Sequence, residues 1–269
     1  MKIALAQTNP TIGDIAGNAD QIGGAIEQAR QQDAQLVIFP ELSIIGYPPK
    51  DLLLVPDMID QCGTAVDQLA ANCVGICAII GFPWPTGKPR GLPLHNGAAF
   101  CVDGRIAHRH VKSLLPTYDV FDEQRYFEPS RDEAQPYAFG GVRFGLTICE
   151  DLWNDRNLLS RQLYHENPVA RLVDAGAQIL VNCSASPFVV DKHRFRLELA
   201  AAAARRHRVP VIYCNQVGGN DELVFDGNSF VVNADGQLVA HARDFQTDLL
   251  LFELDGEPPD PAATGQRPA

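Results

Sequence analysis

The sequence predicts an α/β fold on mixed β-sheet, and three observations predict it. Short apolar runs alternate with segments of helical period along most of the 269 residues. Two of the runs, Leu36-Val37-Ile38-Phe39 and Ile179-Leu180-Val181-Asn182-Cys183, are apolar almost throughout, as strands covered on both faces must be. Asp103-Gly104 and Asp235-Gly236 separate other runs with the dipeptide that favours tight hairpins, and hence antiparallel neighbours. A chain of this length suits one large domain better than two small ones.

Each element follows in order. Ile3-Ala4-Leu5-Ala6 opens as a strand, and Ile22, Ala25, Ile26 and Ala29, spaced i, i+3, i+4, i+7, mark the helix behind it. The strand Leu36–Phe39 ends in Pro40-Glu41 and presents an acid at its carboxyl end, where α/β sheets place their chemistry. Gly46-Tyr47-Pro48-Pro49-Lys50-Asp51-Leu52 cannot continue a strand, because consecutive prolines remove backbone donors. It reads as a loop leading to a helix near Met58 to Ala71. Cys77–Phe82, Gly97–Val102 and Arg105–Ala107 are strands.

Arg143–Ile148 is a strand that delivers Cys149-Glu150-Asp151, with a helix expected from about Arg156 to Asp174. Lys192 to Arg206 is a helix with an alanine-rich inner face, and Val211–Asn215 is the next strand. The chain then turns through Gly218-Gly219 and closes with strands at Ser229–Val232, Leu238–Ala242 and Leu249–Leu254. Residues 1–254 form the domain. Residues 255–269 hold four prolines and two glycines without an apolar period, and read as a linker-like tail.

Composition excludes several classes. With 22 Lys+Arg against 33 Asp+Glu the net charge is −11, which disfavours nucleic acid as a partner. No run approaches a membrane span, and the amino terminus lacks the basic and long apolar regions of a secretory leader, so the expectation is a cytoplasmic protein. Seven cysteines without a Cys-x-x-Cys pair read as reduced thiols, mostly small core residues, and no metal site is expected. Gly-x-Gly-x-x-Gly, Gly-x-Ser-x-Gly and His-Glu-x-x-His are absent. The stretch Gly81 to Pro89 is not a phosphate loop, because its glycine spacing is one too long and proline replaces the magnesium-binding Ser/Thr.

Three reactive side chains remain at or after strand ends: Glu41 in Phe39-Pro40-Glu41-Leu42, Lys112 in His110-Val111-Lys112-Ser113-Leu114, and Cys149 in Thr147-Ile148-Cys149-Glu150-Asp151. In this order and with these flanks they resemble the Glu–Lys–Cys set of the nitrilase, or carbon–nitrogen hydrolase, superfamily from Met1 to about Leu254. The resemblance implies a four-layer α-β-β-α sandwich and hydrolysis through a thioester. A thiol is a good nucleophile towards an amide carbonyl, a carboxylate can take its proton, and a fixed ammonium can stabilise the oxyanion. Glu41, Lys112 and Cys149 would fill the roles of base, cation and nucleophile. Glu123, in Tyr118 to Phe127, matches the superfamily's second glutamate and would hold Lys112 charged.

Longer strings narrow the subfamily. Gly46 to Leu53, Cys149-Glu150-Asp151-Leu152-Trp153 and Asn215 to Gly227 resemble the glutaminase domains of glutamine-dependent NAD synthetases. That resemblance implies L-glutamine as substrate and places Tyr47, Tyr118, Glu150, Trp153, Ser186 and Lys192 around it. Glu150 would pair with the α-ammonium, Ser186 and Lys192 would donate to the carboxylate, and the three aromatic side chains would wall the methylene stem. Such synthetases also carry an ATP-pyrophosphatase domain with a Ser-Gly-Gly-type phosphate loop, which these 269 residues lack. The expected partner is therefore a synthetase domain or subunit, which would supply the ATP and magnesium chemistry, while this chain itself needs no cofactor. A free-standing amidase or ω-amidase is the alternative, and a non-catalytic module of the same fold is a weaker one. Family resemblance also suggests a homo-oligomer.

Overall fold

Alternation along the strands decides the layers. In β1 (Lys2–Gln7), Ile3 and Leu5 point to one side, Ala4 and Ala6 to the other, and both sides are buried. A strand of this kind needs cover on each face. The computed structural model, which describes residues 1–132, 135–154 and 162–254, supplies a second sheet on one side and helices on the other.

The first half of the chain adds α1 (Ile15–Gln31), β2 (Leu36–Ile38), α2 (Pro56–Ala71), β3 (Cys77–Pro85), β4 (Leu94–Val102) and β5 (Arg105–Val111). The second half runs β6 (Tyr137–Phe139), β7 (Val142–Ile148), α3 (Pro168–Asp174), β8 (Ile179–Ser184), α4 (Lys192–His207) and β9 (Val211–Asn215). The chain ends in β10 (Val217–Asn220), β11 (Leu223–Asp226), β12 (Phe230–Val232), β13 (Leu238–His241) and β14 (Asp248–Glu253).

Two six-stranded mixed sheets result, in the orders β14-β1-β2-β3-β4-β5 and β13-β12-β9-β8-β7-β6. Each has a parallel centre, β1-β2-β3 and β7-β8-β9, flanked by antiparallel strands. Ile3, Leu5, Ile38, Ile79 and Phe100 of the first sheet share one buried cluster with Phe144, Leu146, Val181 and Ile212 of the second. The opposite face of the first sheet packs Val37, Ala78 and Ile80 on Ile22 and Ile26 of α1 and on Val66 of α2. That of the second packs Leu180, Val211 and Tyr213 on Leu172 of α3 and Leu199 and Ala203 of α4. The layers are therefore α-β-β-α, as expected. Phe100 and Phe144, fully buried between the sheets, each contribute roughly 1.5–3 kcal/mol by leaving water.

The Asp103-Gly104 turn joins β4 to β5 as an antiparallel pair, with both residues at positive φ (52° and 75°), which the dipeptide tolerates. β3 runs on to Pro85, longer than the sequence suggested. Its prolines lie beyond Ile79, where β2 has ended, so their missing N–H groups cost no bond to that strand.

Two expectations need correction. Among the described residues, the helix expected from about Arg156 to Asp174 is present as α3, Pro168–Asp174, and residues 162–167 are not helical. Asn167 caps it by accepting from the Ala170 N–H, and Pro168 occupies its first turn, so the local signal starts the helix there. Residues 155–161 lie outside the described residues. Gly218-Gly219 is not a turn but part of β10, which pairs with β11 in a separate hairpin whose tip is Asp221-Glu222. The short strand β6 gave no sequence signal. The tail, 255–269, also lies outside the described residues. Among those described, no helix is long and apolar enough to cross a membrane.

Candidate active site

Three strand ends converge. Glu41 follows β2 across Phe39, whose N–H donates to Ile79 O, and the backbone turns at Leu42 with φ 48°. The close approach of β3 at this point demands a glycine: a Cβ on Gly81 would lie 2.5 Å from Pro40 O and 2.6 Å from Leu42 N. Gly81 therefore serves packing, consistent with rejecting a phosphate loop. Lys112 follows β5 immediately, its N–H donating to Asn96 O and its carbonyl accepting from Ser130 N, both at 2.9 Å. Cys149 leaves β7 in a left-handed conformation (φ 42°) that opens the 3₁₀ turn Cys149–Leu152. Sparsely populated backbone of this kind persists only where the surroundings enforce it. Here the Asn182 Nδ2 donates to Cys149 O at 3.3 Å and to Thr147 Oγ1 at 3.0 Å.

Lys112 is fully buried between two carboxylates. Its Nζ lies 2.7 Å from Glu41 Oε1 and 2.7 and 2.8 Å from the two oxygens of Glu123. Glu123 comes from a separate short turn, Glu123–Arg125, fixed by its N–H to Pro116 O. The Tyr47 hydroxyl donates to Glu123 Oε1 at 2.9 Å. Asn96 Nδ2 donates to Glu41 Oε1 at 2.8 Å and lies 3.3 Å from Glu123 Oε2. All donors reach one oxygen of Glu41. Its Oε2 is buried and has no hydrogen-bond partner among the described residues.

Electrostatics follow from burial. Burial alone would favour the neutral amine of Lys112, but Glu123 and Glu41 outweigh it and hold the ammonium well above the usual lysine range. One ammonium cannot offset two carboxylates, and burial pushes the Glu123 carboxyl up to about 7 against the pull of Lys112. Burial, then the Glu41 charge, raises the Cys149 thiol well above the ordinary thiol range, with Lys112 opposing. The resting sulfur is therefore a protonated thiol that needs a base to react.

The other predicted residues have their own partners. Glu150 is buried, and the Tyr118 hydroxyl lies 3.0 and 2.9 Å from its two oxygens. Tyr164 also hydrogen-bonds Glu150. Trp153 packs against Phe195 with ring centroids 5.7 Å apart, and Lys192 Nζ sits 5.5 Å from the Trp153 centroid. Burial lowers the Lys192 ammonium below the usual lysine range. Ser186 is buried, with its N–H donated to Asn215 Oδ1 at 2.8 Å. Glu41, Lys112 and Glu123 thus touch directly, as do Tyr47 with Glu123 and Tyr118 with Glu150.

Sequence reasoning missed Asn96 and Tyr164. Asn96 sits in a strand that reads as ordinary sheet; a polar side chain one residue before Gly97 in an apolar run was the available signal. Tyr164 falls where a continuous helix was expected. Among the described residues no group of His, Cys, Asp and Glu could hold a metal ion.

Residues 2–257 match the sequence model of the Carbon-nitrogen hydrolase family. A glutamine-dependent NAD(+) synthetase of Synechocystis sp. is 44% identical over 257 residues, covering 94% of this chain and 46% of that protein. One from Thermotoga maritima is 35% identical over 258 residues, covering 95% and 42%. Among solved structures, the glutamine-dependent NAD+ synthetase of Acinetobacter baumannii, in complex with ADP, aligns with a TM-score of 0.85 at 36% identity, over 94% of this chain and 45% of that one. An amidase from Nesterenkonia sp. aligns with a TM-score of 0.80 at 26% identity, over 99% and 93%. The chain spans less than half the length of the synthetases it matches. With a match over almost the whole chain, and with two mixed sheets between helical layers, the protein belongs to the carbon–nitrogen hydrolase family and is related to the glutaminase part of glutamine-dependent NAD synthetases.

Proposed function

We propose that the chain hydrolyses the side-chain amide of L-glutamine through Cys149, Glu41 and Lys112, releasing ammonia for a synthetase domain or subunit. The observation that carries this reading is the buried Lys112 ammonium clamped by Glu41 and Glu123 while Glu41 Oε2 meets no donor among the described residues. That free oxygen can take the Cys149 proton as sulfur bonds to the amide carbon. The carbonyl electrons move onto oxygen, where the Lys112 ammonium stabilises them in a dry site. Collapse breaks the carbon–nitrogen bond, Glu41 returns its proton to the departing nitrogen, and ammonia leaves a thioester. Water then adds with Glu41 as base, the carbon–sulfur bond breaks, and the thiol regains its proton as glutamate departs.

Glutamine is favoured over a simple amide by Glu150, a buried carboxylate that can pair with an α-ammonium. Lys192 and Ser186 supply donors suited to the α-carboxylate, and Tyr47, Tyr118 and Trp153 supply apolar walls. Downstream amidation of deamido-NAD would need the ATP and magnesium of the synthetase partner, not of this chain. Residues of this chain carry the entire hydrolytic step.

The alternative, a free-standing amidase, is favoured by the amidase from Nesterenkonia sp., which this chain matches over 93% of that protein's length. Mapping an electrophilic glutamine analogue on the intact chain by mass spectrometry tests the two together. Labelling of Cys149 by the analogue, but not by a simple acrylamide at equal concentration, is the expected result. Preferential labelling by the simple amide would favour the free-standing amidase.

A further inference from the structure

Asp151 lies two residues after the proposed nucleophile and is buried, yet it has no part in the chemistry described above. Among the described residues its hydrogen bonds go to backbone N–H groups. Its Oδ2 accepts from Ile148 N at 3.0 Å, and its Oδ1 accepts from Ser113 N at 3.0 Å and Leu114 N at 2.8 Å. Ile148 is the last residue of β7 before Cys149, and Ser113 and Leu114 are the first two after Lys112. One carboxylate therefore joins the turn carrying the sulfur to the segment carrying the ammonium. These two segments come from strands of different sheets, β7 and β5, with no ladder between them.

We infer that Asp151 is a positioning residue that sets the distance between the Cys149 sulfur and the Lys112 ammonium, an inference that rests on the roles proposed for those two groups. A solvated side chain would not do this. An acceptor with three backbone donors is held at both ends, and those donors favour its charged form against burial. The left-handed backbone at Cys149 also needs an outside restraint, which the bond to Ile148 N provides directly next to it. Burial pushes the Asp151 carboxyl up to about 7, and its three backbone donors together with the Lys112 charge draw it back towards the charged form.

Asp151→Asn separates this role from others. Asparagine has the same shape, and its Oδ1 can still accept from Ser113 and Leu114, but its NH2 then faces the Ile148 N–H, donor against donor. The link to the nucleophile is lost while the packing is kept. A displacement of the order of 1 Å at a reacting group costs about 100-fold. The expected result is a kcat for glutamine lowered about 10- to 100-fold with KM changed less than about threefold. Alkylation of Cys149 by iodoacetamide forms no oxyanion, so its rate should change less than about threefold as well.

The experiment compares wild type, Asp151→Asn and Asp151→Ser in the full chain, with melting temperatures to verify folding. Asp151→Ser, smaller and with a single acceptor oxygen, keeps the test open if the asparagine variant does not fold, and the same losses are expected. A kcat within twofold of wild type in a folded variant overturns the inference. Equal losses in turnover and in alkylation would show general loosening of the turn, and overturn it too. If wild-type Cys149 is not labelled by an electrophilic glutamine analogue, the fault lies in the proposed chemistry itself, which separates the two failures.

Discussion

Replacing Lys112 by methionine tests the centre of the site most directly, because stability and catalysis should respond through the same ammonium. In the folded chain Lys112 is 0% exposed and lies within 2.8 Å of three carboxylate oxygens. Methionine keeps most of the stem's packing but leaves Glu41 and Glu123 buried without their cation. Breaking a buried pair from one side costs about 3–5 kcal/mol. Against a total stability of roughly 5–15 kcal/mol the variant should still fold, with a visibly lower urea midpoint.

The cost should depend on pH, with a defined sign. Burial already raises the Glu123 carboxyl to about 7 with Lys112 present, and removing the cation can only raise it further. A folded value above the unfolded one, about 4.3, gives stability that is full below the unfolded value and is lost as pH rises through the folded value. The variant should therefore lie closest to wild type near pH 5 and fall progressively further below it as pH rises to 8. Urea unfolding at both pH values measures this. Glutamate release should fall roughly 100- to 1000-fold, as when an oxyanion donor is removed. A variant as stable as wild type at pH 8 would refute the reasoning that this ammonium neutralises two buried carboxylates. The double variant Lys112→Met/Glu123→Gln should regain stability without activity.

Four further outcomes are expected. Cys149→Ala should abolish glutamine hydrolysis with an unchanged fold by circular dichroism, and persistent turnover would remove the cysteine from the mechanism. Glu150→Gln should raise KM for glutamine while leaving hydrolysis of a simple amide unaffected, which steady-state comparison of the two substrates checks. Light scattering should give a mass above the 29.4 kDa of one chain, and supplying a synthetase domain in trans, with ATP and deamido-NAD, should raise the rate of glutamate release.

The residues by themselves determined the alternation of strands and helices, while the α-β-β-α layering came from the family resemblance. Period-2 runs such as Ile3-Ala4-Leu5-Ala6, apolar on both faces, state that a strand is covered twice, and that information is local. The positions of Glu41 and Cys149 just beyond β2 and β7 are legible for the same reason, whereas β5 runs past the expected Ala107 to Val111 before it delivers Lys112. The helix ending at Asp174 was overestimated because helical pattern weighed more than the Asn167-Pro168 start signal inside it. Tertiary structure decided which polar groups meet. Lys112 reaches Glu41 across 71 residues and Tyr47 reaches Glu123 across 76, and no periodicity encodes such pairs. Asn96 and Asp151 look like ordinary polar residues in the chain; only the alignment of β4 with β5, and the placing of β7 over β5's exit, turns them into the donor that fixes Glu41 and the acceptor that ties Ile148 to Ser113. Burial patterns are written residue by residue, whereas hydrogen-bond partners are chosen by register and sheet packing, which the chain acquires only on folding.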